Sequence, residues 1–277
     1  MKLTTAKIVK YLAIAVIAVL LSALWPRKDS KVSPIHIRDY NEILSSDTLN
    51  VVTEYNSISF YADSDSISGF HYELVKAFAR NKGLFLNIVP EMSFEKRLHG
   101  LNNGKYDIIA YGIPLTNEWK DSLSLTTPIT LSKQILVQRK PEFDSTFTHI
   151  QSQINLANKT VYVEKGSPSI LRIRNLEAEI ADTIYINEID KYGPEQIMAM
   201  VAHADIDYAV VDEHIAQASI DSFPQLDITT GISFTQFYSW GVNKKSPILL
   251  DSLNCWLTNF LQEDEYTKLK TKYFKRN

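Results

Sequence analysis

The chain has 277 residues, of which 45% are hydrophobic and 22% charged, and its formal net charge is −3. This composition is that of a globular protein and excludes a disordered or low-complexity chain. The slightly acidic balance argues against nucleic acid as a partner, because nucleic-acid binding requires a basic face. The single cysteine, Cys255, excludes an intrachain disulfide and a cysteine metal cluster. Since Cys255 lies in an apolar helical stretch, we expect a buried, inert thiol.

An apolar run at the N-terminus predicts export. Residues 11–25 are almost uniformly apolar and follow three lysines, which is the arrangement of a signal peptide or a signal anchor. Leu24 stands where a lipoprotein signal needs its cysteine, and no clear cleavage motif is present, which favours an uncleaved anchor. We expect a hydrophobic helix within 1–27 and a linker over 28–48. The remainder is expected to be periplasmic, either anchored to the inner membrane or released after cleavage.

From residue 48 onward the pattern alternates strand and helix. Strands are predicted where short runs are apolar and β-branched, at 48–53, 84–89, 107–113, 134–138, 160–164, 183–186 and 208–211. Apolar residues with helical spacing predict helices between them, starting near Phe70, Phe94, Ser167-Pro168, Pro194 and Ser246-Pro247. This alternation predicts an α/β fold in which ligands bind outside the carboxyl ends of the strands. The rule points to the loops at 53–61, 111–119 and 165–169 and to Asp212.

Five segments, in this order and spacing, resemble the bacterial periplasmic solute-binding proteins of the polar amino acid class, family three. They are GFHYELVKAFA at 69–79, GKYDII at 104–109, QILV at 134–137, VEKGS at 163–167 and IDYAVVD at 206–212. Within that class the chain is most similar to the N-terminal binding module of the membrane-bound lytic murein transglycosylases F. The residues that carry this second likeness lie at 55–61, 166–167 and 223–228.

The resemblance implies a two-lobed, type II periplasmic-binding-protein fold with two hinge crossings. The first lobe is expected over 49–130 and 235–277, and the second over 133–232. The hinges are expected near 130–132 and 234–236, and closure about them would trap a ligand.

The resemblance also implies a ligand site. Amino-acid binders of this class hold the ligand carboxylate with an arginine three residues after the threonine of a Gly-x-x-x-Thr phrase. Here the phrase runs from Gly112 to Thr116, and Trp119 stands at the arginine's position. An indole cannot replace a bidentate guanidinium, and Pro114 within the phrase also lacks a donor. A free α-amino acid is therefore not the expected ligand.

At other positions the sequence is compatible both with a binding role and with a purely structural role. Asp212 is expected either to accept a ligand ammonium or to cap the following helix. Gly166 and Ser167 begin a helix, which favours an anionic or carbonyl oxygen unless it is an ordinary capped start. Aromatic side chains are expected either to line the cleft or to pack in the core, namely Phe60, Tyr61, Tyr111 and Trp119.

The residues favour a binding protein over an enzyme. No nucleophile, phosphate-loop or metal motif occurs, and the chain ends where the catalytic domain of the transglycosylases would begin. No catalytic residue, metal or cofactor is expected. We expect a small ligand, with a peptide or cell-wall fragment favoured over a free amino acid, and a membrane permease or a cell-wall enzyme as partner. The alternative is a non-catalytic regulatory module with a degenerate cleft, plugged by Tyr111 and Trp119.

Overall fold

The computed structural model describes residues 35–63, 66–144 and 148–274. The predicted N-terminal hydrophobic helix, within 1–27, lies outside these ranges. Among the helices that the structure describes, none combines the length and the apolar character needed to cross a bilayer.

The described strands, in chain order, are β1 (Thr48–Thr53), β2 (Tyr61–Asp63), β3 (Ser66–Ser68), β4 (Phe85–Pro90), β5 (Ile108–Pro114), β6 (Ser124–Leu125), β7 (Thr130–Ser132), β8 (Gln134–Arg139), β9 (Thr160–Glu164), β10 (Tyr185–Ile189), β11 (Ala209–Asp212), β12 (Leu226–Asp227) and β13 (Gln236–Val242). The described α-helices are α1 (Tyr40–Ser45), α2 (Phe70–Lys82), α3 (Phe94–Asn102), α4 (Ser169–Ile180), α5 (Pro194–Ala202), α6 (Glu213–Ser219), α7 (Pro247–Phe260) and α8 (Asp264–Tyr273). Short 3-10 helices lie at Asn117–Asp121, Gln153–Leu156 and Ile220–Ser222. The predicted strands are confirmed, with bounds that agree or shift by a few residues.

Two sheets organise the described chain. The first has the order β4-β1-β5-β13-β6, with β7 paired to β13, and the second has the order β10-β9-β11-β8-β12. In the first sheet β1 is parallel to β4 and β5, whereas β13 is antiparallel to its neighbours. In the second, β9 is parallel to β10 and β11, whereas β8 is antiparallel to β11. The chain passes between the sheets twice, from β7 to β8 and from β12 to β13.

Helix α2 shows how local sequence fixes an element of the first sheet's layer. Phe70, Leu74 and Phe78 recur on one helix face and are buried, as helical spacing of apolar residues predicts. Gly83 ends the helix in the left-handed conformation at φ 67°, which glycine adopts without steric cost. Trp240 of β13 is fully buried beside this helix, and its indole N–H donates to His71 Nδ1 at 2.9 Å.

Helix α1 lies within the predicted linker. Asp39 and Glu42 form a capping box at its start, which satisfies backbone donors that a helix otherwise leaves free. The Asp39 carboxylate also accepts from the backbone N–H groups of Ile248 and Leu249, at 3.2 and 2.8 Å. The helix is therefore joined to the start of α7.

The expectation of a buried Cys255 is wrong. Cys255 is exposed, although it lies within the predicted helix. Helix α7 buries Leu253, Trp256 and Leu257, and position 255 falls on the opposite face of the 3.6-residue repeat. A residue within an apolar helical stretch can therefore still lie on the exposed face of the helix.

Candidate ligand-binding site

A cavity of about 60 Å³ lies between the two sheets. It is reached from the carboxyl ends of parallel strands, because Glu54 directly follows β1 and Glu164 and Asp212 end β9 and β11. Ligands bind at this place in open α/β sheets. The polar side chains that line the cavity are Glu54, Tyr111, Gln134, Glu164, Ser167, Ser169, Asp212 and Tyr238.

The two carboxylate oxygens of Asp212 have different surroundings. Its Oδ1 accepts from the backbone N–H of His214 at 2.9 Å and so caps α6. Its buried Oδ2 receives no hydrogen bond of good geometry from the described residues, although the hydroxyls of Ser132 and Tyr238 are close by. Burial raises the pKa of this carboxyl above its ordinary value, while His214 acts in the opposite direction.

A buried charge cluster connects the two sheets. Arg97, on α3, is fully buried, and its Nη2 lies 3.2 Å from Glu54 Oε1 and 3.4 Å from Glu164 Oε1. Its Nη1 donates to the carbonyl oxygens of Glu91 and Met92, at 2.6 and 3.1 Å. Burial raises the pKa of Glu164 well above its ordinary value, and the adjacent Glu54 carboxylate raises it further, while Arg97 lowers it. One guanidinium thus serves two carboxyl groups.

The loop after β1 positions Glu54. Asn56 Nδ2 donates to Glu54 Oε2 at 2.5 Å, and Asn56 Oδ1 accepts from the backbone N–H groups of Ile58 and Ser59. This is the side-chain turn for which asparagine is favoured. Glu54 Oε1, in contrast, receives no hydrogen bond of good geometry from the described residues.

Tyr111 forms a wall of the cavity and a support for Arg97. The guanidinium carbon lies 4.5 Å from the centre of the Tyr111 ring, a cation–π distance. Phe94 packs edge-on against the same ring at 6.1 Å. The Tyr111 hydroxyl is buried and has no hydrogen bond of good geometry among the described residues. Burial raises the pKa of this phenol.

Two further cavities adjoin the first. One, of about 210 Å³, is lined by Thr116, Trp119 and Gln134 among others. The other, of about 50 Å³, is lined by Tyr111 and Tyr238 and by the polar residues His71, Ser132, Asp212 and His214. Burial, and to a smaller extent His214, lower the pKa of His71 to about 3, so His71 is neutral at physiological pH.

The structure brings together some of the predicted site residues. Tyr111, Gly112, Ser167 and Asp212 line the cavity between the sheets. Thr116 and Trp119 line the adjacent 210 Å³ cavity, where Trp119 packs on Phe94 at 5.0 Å. Phe60, Tyr61 and Gly166 are not among the lining residues of these cavities. Their binding roles stay predictions.

The backbone donors at the start of α4 are already engaged. The N–H of Gly166 donates to Glu188 Oε2 at 2.9 Å, that of Ser167 to the Glu164 carbonyl at 3.1 Å, and that of Ser169 to Ser167 Oγ at 3.1 Å. Pro168 has no N–H. The helix start therefore offers an oxyanion few free donors.

Sequence reasoning missed Glu54, Arg97, Gln134 and Glu164. Glu54 and Glu164 stand at strand ends, which the strand-end rule already marks, so attention to carboxyl groups there would have found them. Arg97 gave no such signal, since a charged residue on a short helix is most often solvated.

Comparisons with known proteins agree with this architecture. The model of the family described as bacterial extracellular solute-binding proteins, family 3, matches residues 48–276. The fold is that of a solute-binding protein, and the type II periplasmic-binding-protein fold predicted from the motifs is confirmed. The chain belongs to the bacterial extracellular solute-binding proteins, family 3. The family is described as one of solute-binding proteins.

Individual relatives include both a solved binding protein and longer proteins. A mutant of ArgBP from T. maritima is 26% identical with a TM-score of 0.73, covering 84% of this chain and 97% of that one. An arginine-bound, truncated form of ArgBP from T. maritima is 27% identical with a TM-score of 0.70, covering 80% of this chain and 100% of that one. The membrane-bound lytic murein transglycosylase F of Photobacterium profundum is 24% identical over 243 residues, which are 86% of this chain and 46% of the relative. The chain thus spans about half the length of the curated relatives it matches, and the predicted likeness to their binding module is confirmed.

Among the described residues, no group of three or more histidine, cysteine or acidic side chains is arranged to hold a metal ion.

Proposed function

We propose that this chain is an extracytoplasmic solute-binding module whose two lobes close on one small polar ligand. The observation that carries the proposal is the cavity between the two sheets, where strand ends from both place Glu54, Glu164 and Asp212. Pockets that bury a ligand among a few converging polar groups are the usual form of a small-molecule site.

The lobes are proposed as 49–130 with 235–277, and 133–232, with hinges near 130–132 and 234–236. The two passages of the chain between the sheets support this division, since few residues need to change conformation for the sheets to separate. At these passages β7 and β13 pair directly, from Gln236 opposite Ser132 to Tyr238 opposite Thr130.

The size of the cavity bears on the ligand. A buried water needs roughly 10–15 Å³ measured this way, so a cavity of about 60 Å³ accommodates about four to six waters. A peptide or a cell-wall fragment is several times larger, and would require the lobes to stand further apart. We therefore propose a ligand of single amino-acid size or smaller, in place of the larger ligands expected from the sequence. The arginine-bound form of ArgBP from T. maritima offers a precedent of that size.

Location and partners follow as further parts of the proposal. The family's description as extracellular supports a periplasmic position. A membrane permease or a cell-wall enzyme is the proposed partner, the latter because the similar transglycosylases are about twice as long as the matched segment.

A thermal-shift assay on the purified full-length chain tests the proposal. The panel contains amino acids, small amines and muropeptides, and the site variant is Asp212→Asn, which keeps the cap oxygen and removes the charge. Asp251→Asn, an exposed change on α7, is the matched control. We expect one class of small solute to raise the melting temperature of the wild type and of the control but not of the site variant. A panel without any effect would contradict the proposal.

A second candidate function is a regulatory module with a degenerate cleft. The observation in its favour is that the Tyr111 ring, which packs against Arg97, lines a cavity of about 60 Å³. It predicts that no solute raises the melting temperature, while sedimentation with a purified lytic transglycosylase F shows a complex.

A further inference from the structure

The charged groups that line the cavity between the sheets are all acidic. Its lining residues include three carboxyl groups, Glu54, Glu164 and Asp212, and, within the part of the chain that the structure describes, no lysine, arginine or histidine. Arg97 is the nearby cation, but it does not line the cavity, and its Nη groups are directed to Glu54, Glu164 and two backbone carbonyls. The three carboxyl groups of the lining therefore outnumber the one guanidinium beside it.

Three buried oxygens at the cavity lack a well-placed donor, and the buried Tyr111 hydroxyl, which can donate or accept, also has no partner of good geometry among the described residues. Glu54 Oε1, Gln134 Oε1 and Asp212 Oδ2 are buried and receive no hydrogen bond of good geometry from the described residues. Glu54 and Gln134 are only 2% and 3% exposed as whole residues. All three atoms are acceptors when the carboxyls are ionised. Arg97 Nη2 lies 3.2 Å from Glu54 Oε1 without good hydrogen-bond geometry. Buried acceptors whose hydrogen bonds are incomplete destabilise a protein, so a ligand that brings N–H donors is the complementary molecule.

A ligand carboxylate would find the Tyr111 hydroxyl as a donor but no cation among the described residues that line the cavity. The backbone donors of Gly166, Ser167 and Ser169 are engaged within the protein, and Pro114 and Pro168 have no N–H. The predicted clamp position holds Trp119, which lines the neighbouring cavity. Placing a carboxylate beside three acidic groups without a compensating cation is costly in a buried site.

We propose that the ligand is a small aliphatic amine without a carboxylate, namely a diamine or its guanidino analogue. One nitrogen binds Asp212 and Gln134, and the second binds the Glu54 and Glu164 carboxyl groups. These acceptors form two separate groups, one on β11 and β8 and the other after β1 and at the end of β9. The inference deepens the proposed function and rests on it.

Matched pairs of ligands test the effect of the ligand's carboxylate on affinity. Calorimetric titration of the purified full-length chain compares putrescine with ornithine, and agmatine with arginine, since each amine differs from its amino acid only by the carboxylate. We expect at least one amine to bind at least about tenfold more tightly than its amino acid, which corresponds to about 1.4 kcal/mol. Equal or tighter binding of both amino acids would overturn the inference and leave the proposed function intact.

Variants of the lining residues test whether the amine binds in this cavity. Asp212→Asn and Glu54→Gln should each weaken amine binding at least about tenfold, while Asp251→Asn leaves it unchanged. Unchanged binding in both site variants would overturn the assignment. Absence of binding by both amines overturns it as well, and the proposed function fails with it only if the thermal-shift panel also yields no ligand.

Discussion

Asp212 and Gln134 lie directly opposite each other on the antiparallel strands β11 and β8. Residues so paired direct their side chains to the same face of a sheet, and here each presents a buried oxygen without a partner to the same cavity. Asp212 ends β11 and Gln134 begins β8. The register of one strand pair therefore produces half of the candidate site.

Asp212→Asn should stabilise the protein at neutral pH. Burial raises the pKa of the folded-state carboxyl above 3.8, so ionisation above that pH disfavours the folded state, and the amide removes this cost while retaining the cap oxygen. We expect an increase in the free energy of unfolding of about 1 kcal/mol, which is typical when an unfavourable group in a functional site is replaced. Urea unfolding at pH 7 measures it.

The pH dependence provides the control for that variant. Well below pH 3.8 the wild-type carboxyl is protonated in both states, so the two proteins should converge there. A variant that is less stable than the wild type at pH 7 would contradict the account of Asp212 as a buried, incompletely bonded carboxylate.

His71 should make stability fall in mild acid. Its folded-state pKa is about 3 against 6.5 when unfolded, so between these values only the unfolded chain binds the proton. Stability from this group is complete above pH 6.5 and declines toward pH 3, at up to about 1.4 kcal/mol per pH unit for one proton. His71→Asn retains an acceptor for the Trp240 indole and should flatten the decline, whereas exposed His203→Asn should not. Parallel curves for wild type and His71→Asn would refute this assignment.

Arg97→Met should be strongly destabilising. The change leaves Glu54 and Glu164 facing each other without their shared cation, and breaking a buried ion pair costs about 3–5 kcal/mol. Adding Glu164→Gln to the same chain should restore part of the loss, because it removes one of the two uncompensated groups. Denaturant unfolding of the single and double variants measures this coupling. A loss below about 1 kcal/mol would mean that the cluster is solvated.

Gly69→Ala should cost more than Gly83→Ala. Gly69 has φ 139°, and a Cβ there would lie 2.4 Å from the Ser59 carbonyl oxygen, so the backbone must move, at a cost of roughly 2 kcal/mol or more. Gly83 also has positive φ, at 67°, but a Cβ there meets nothing within 4 Å, which limits the cost to about 1 kcal/mol. Thermal unfolding compares the two, and equal costs would contradict the proposed clash.

The elements that sequence predicted best are those fixed by local signals. Strand β1 and helix α2 follow from β-branched runs, apolar spacing and the cap at Gly83. Arg97 shows the limit of such signals. Helix α3 was predicted, but the burial of this residue depends on Glu54 and Glu164, which come from different sheets. Its partners are distant in sequence, and no local pattern encodes them.

The residues of the candidate site also differ in whether a local sequence signal predicted them. Asp212 was identified because it ends a strand, and Tyr111 because it stands near the end of another. Gln134 was not predicted, because its position depends on the antiparallel pairing of β8 with β11. Trp119 was placed beside the ligand by its spacing from Thr116, yet it packs on Phe94 and lines a neighbouring cavity.

Calorimetric titration of the full-length chain with small polar solutes, before and after Asp212→Asn, tests the central claim most directly. We expect saturable binding of one solute per chain, and the loss of that binding in the variant while the fold is retained. Binding that persists unchanged in Asp212→Asn, or no binding of any small solute by the wild type, would contradict a ligand site between the two sheets.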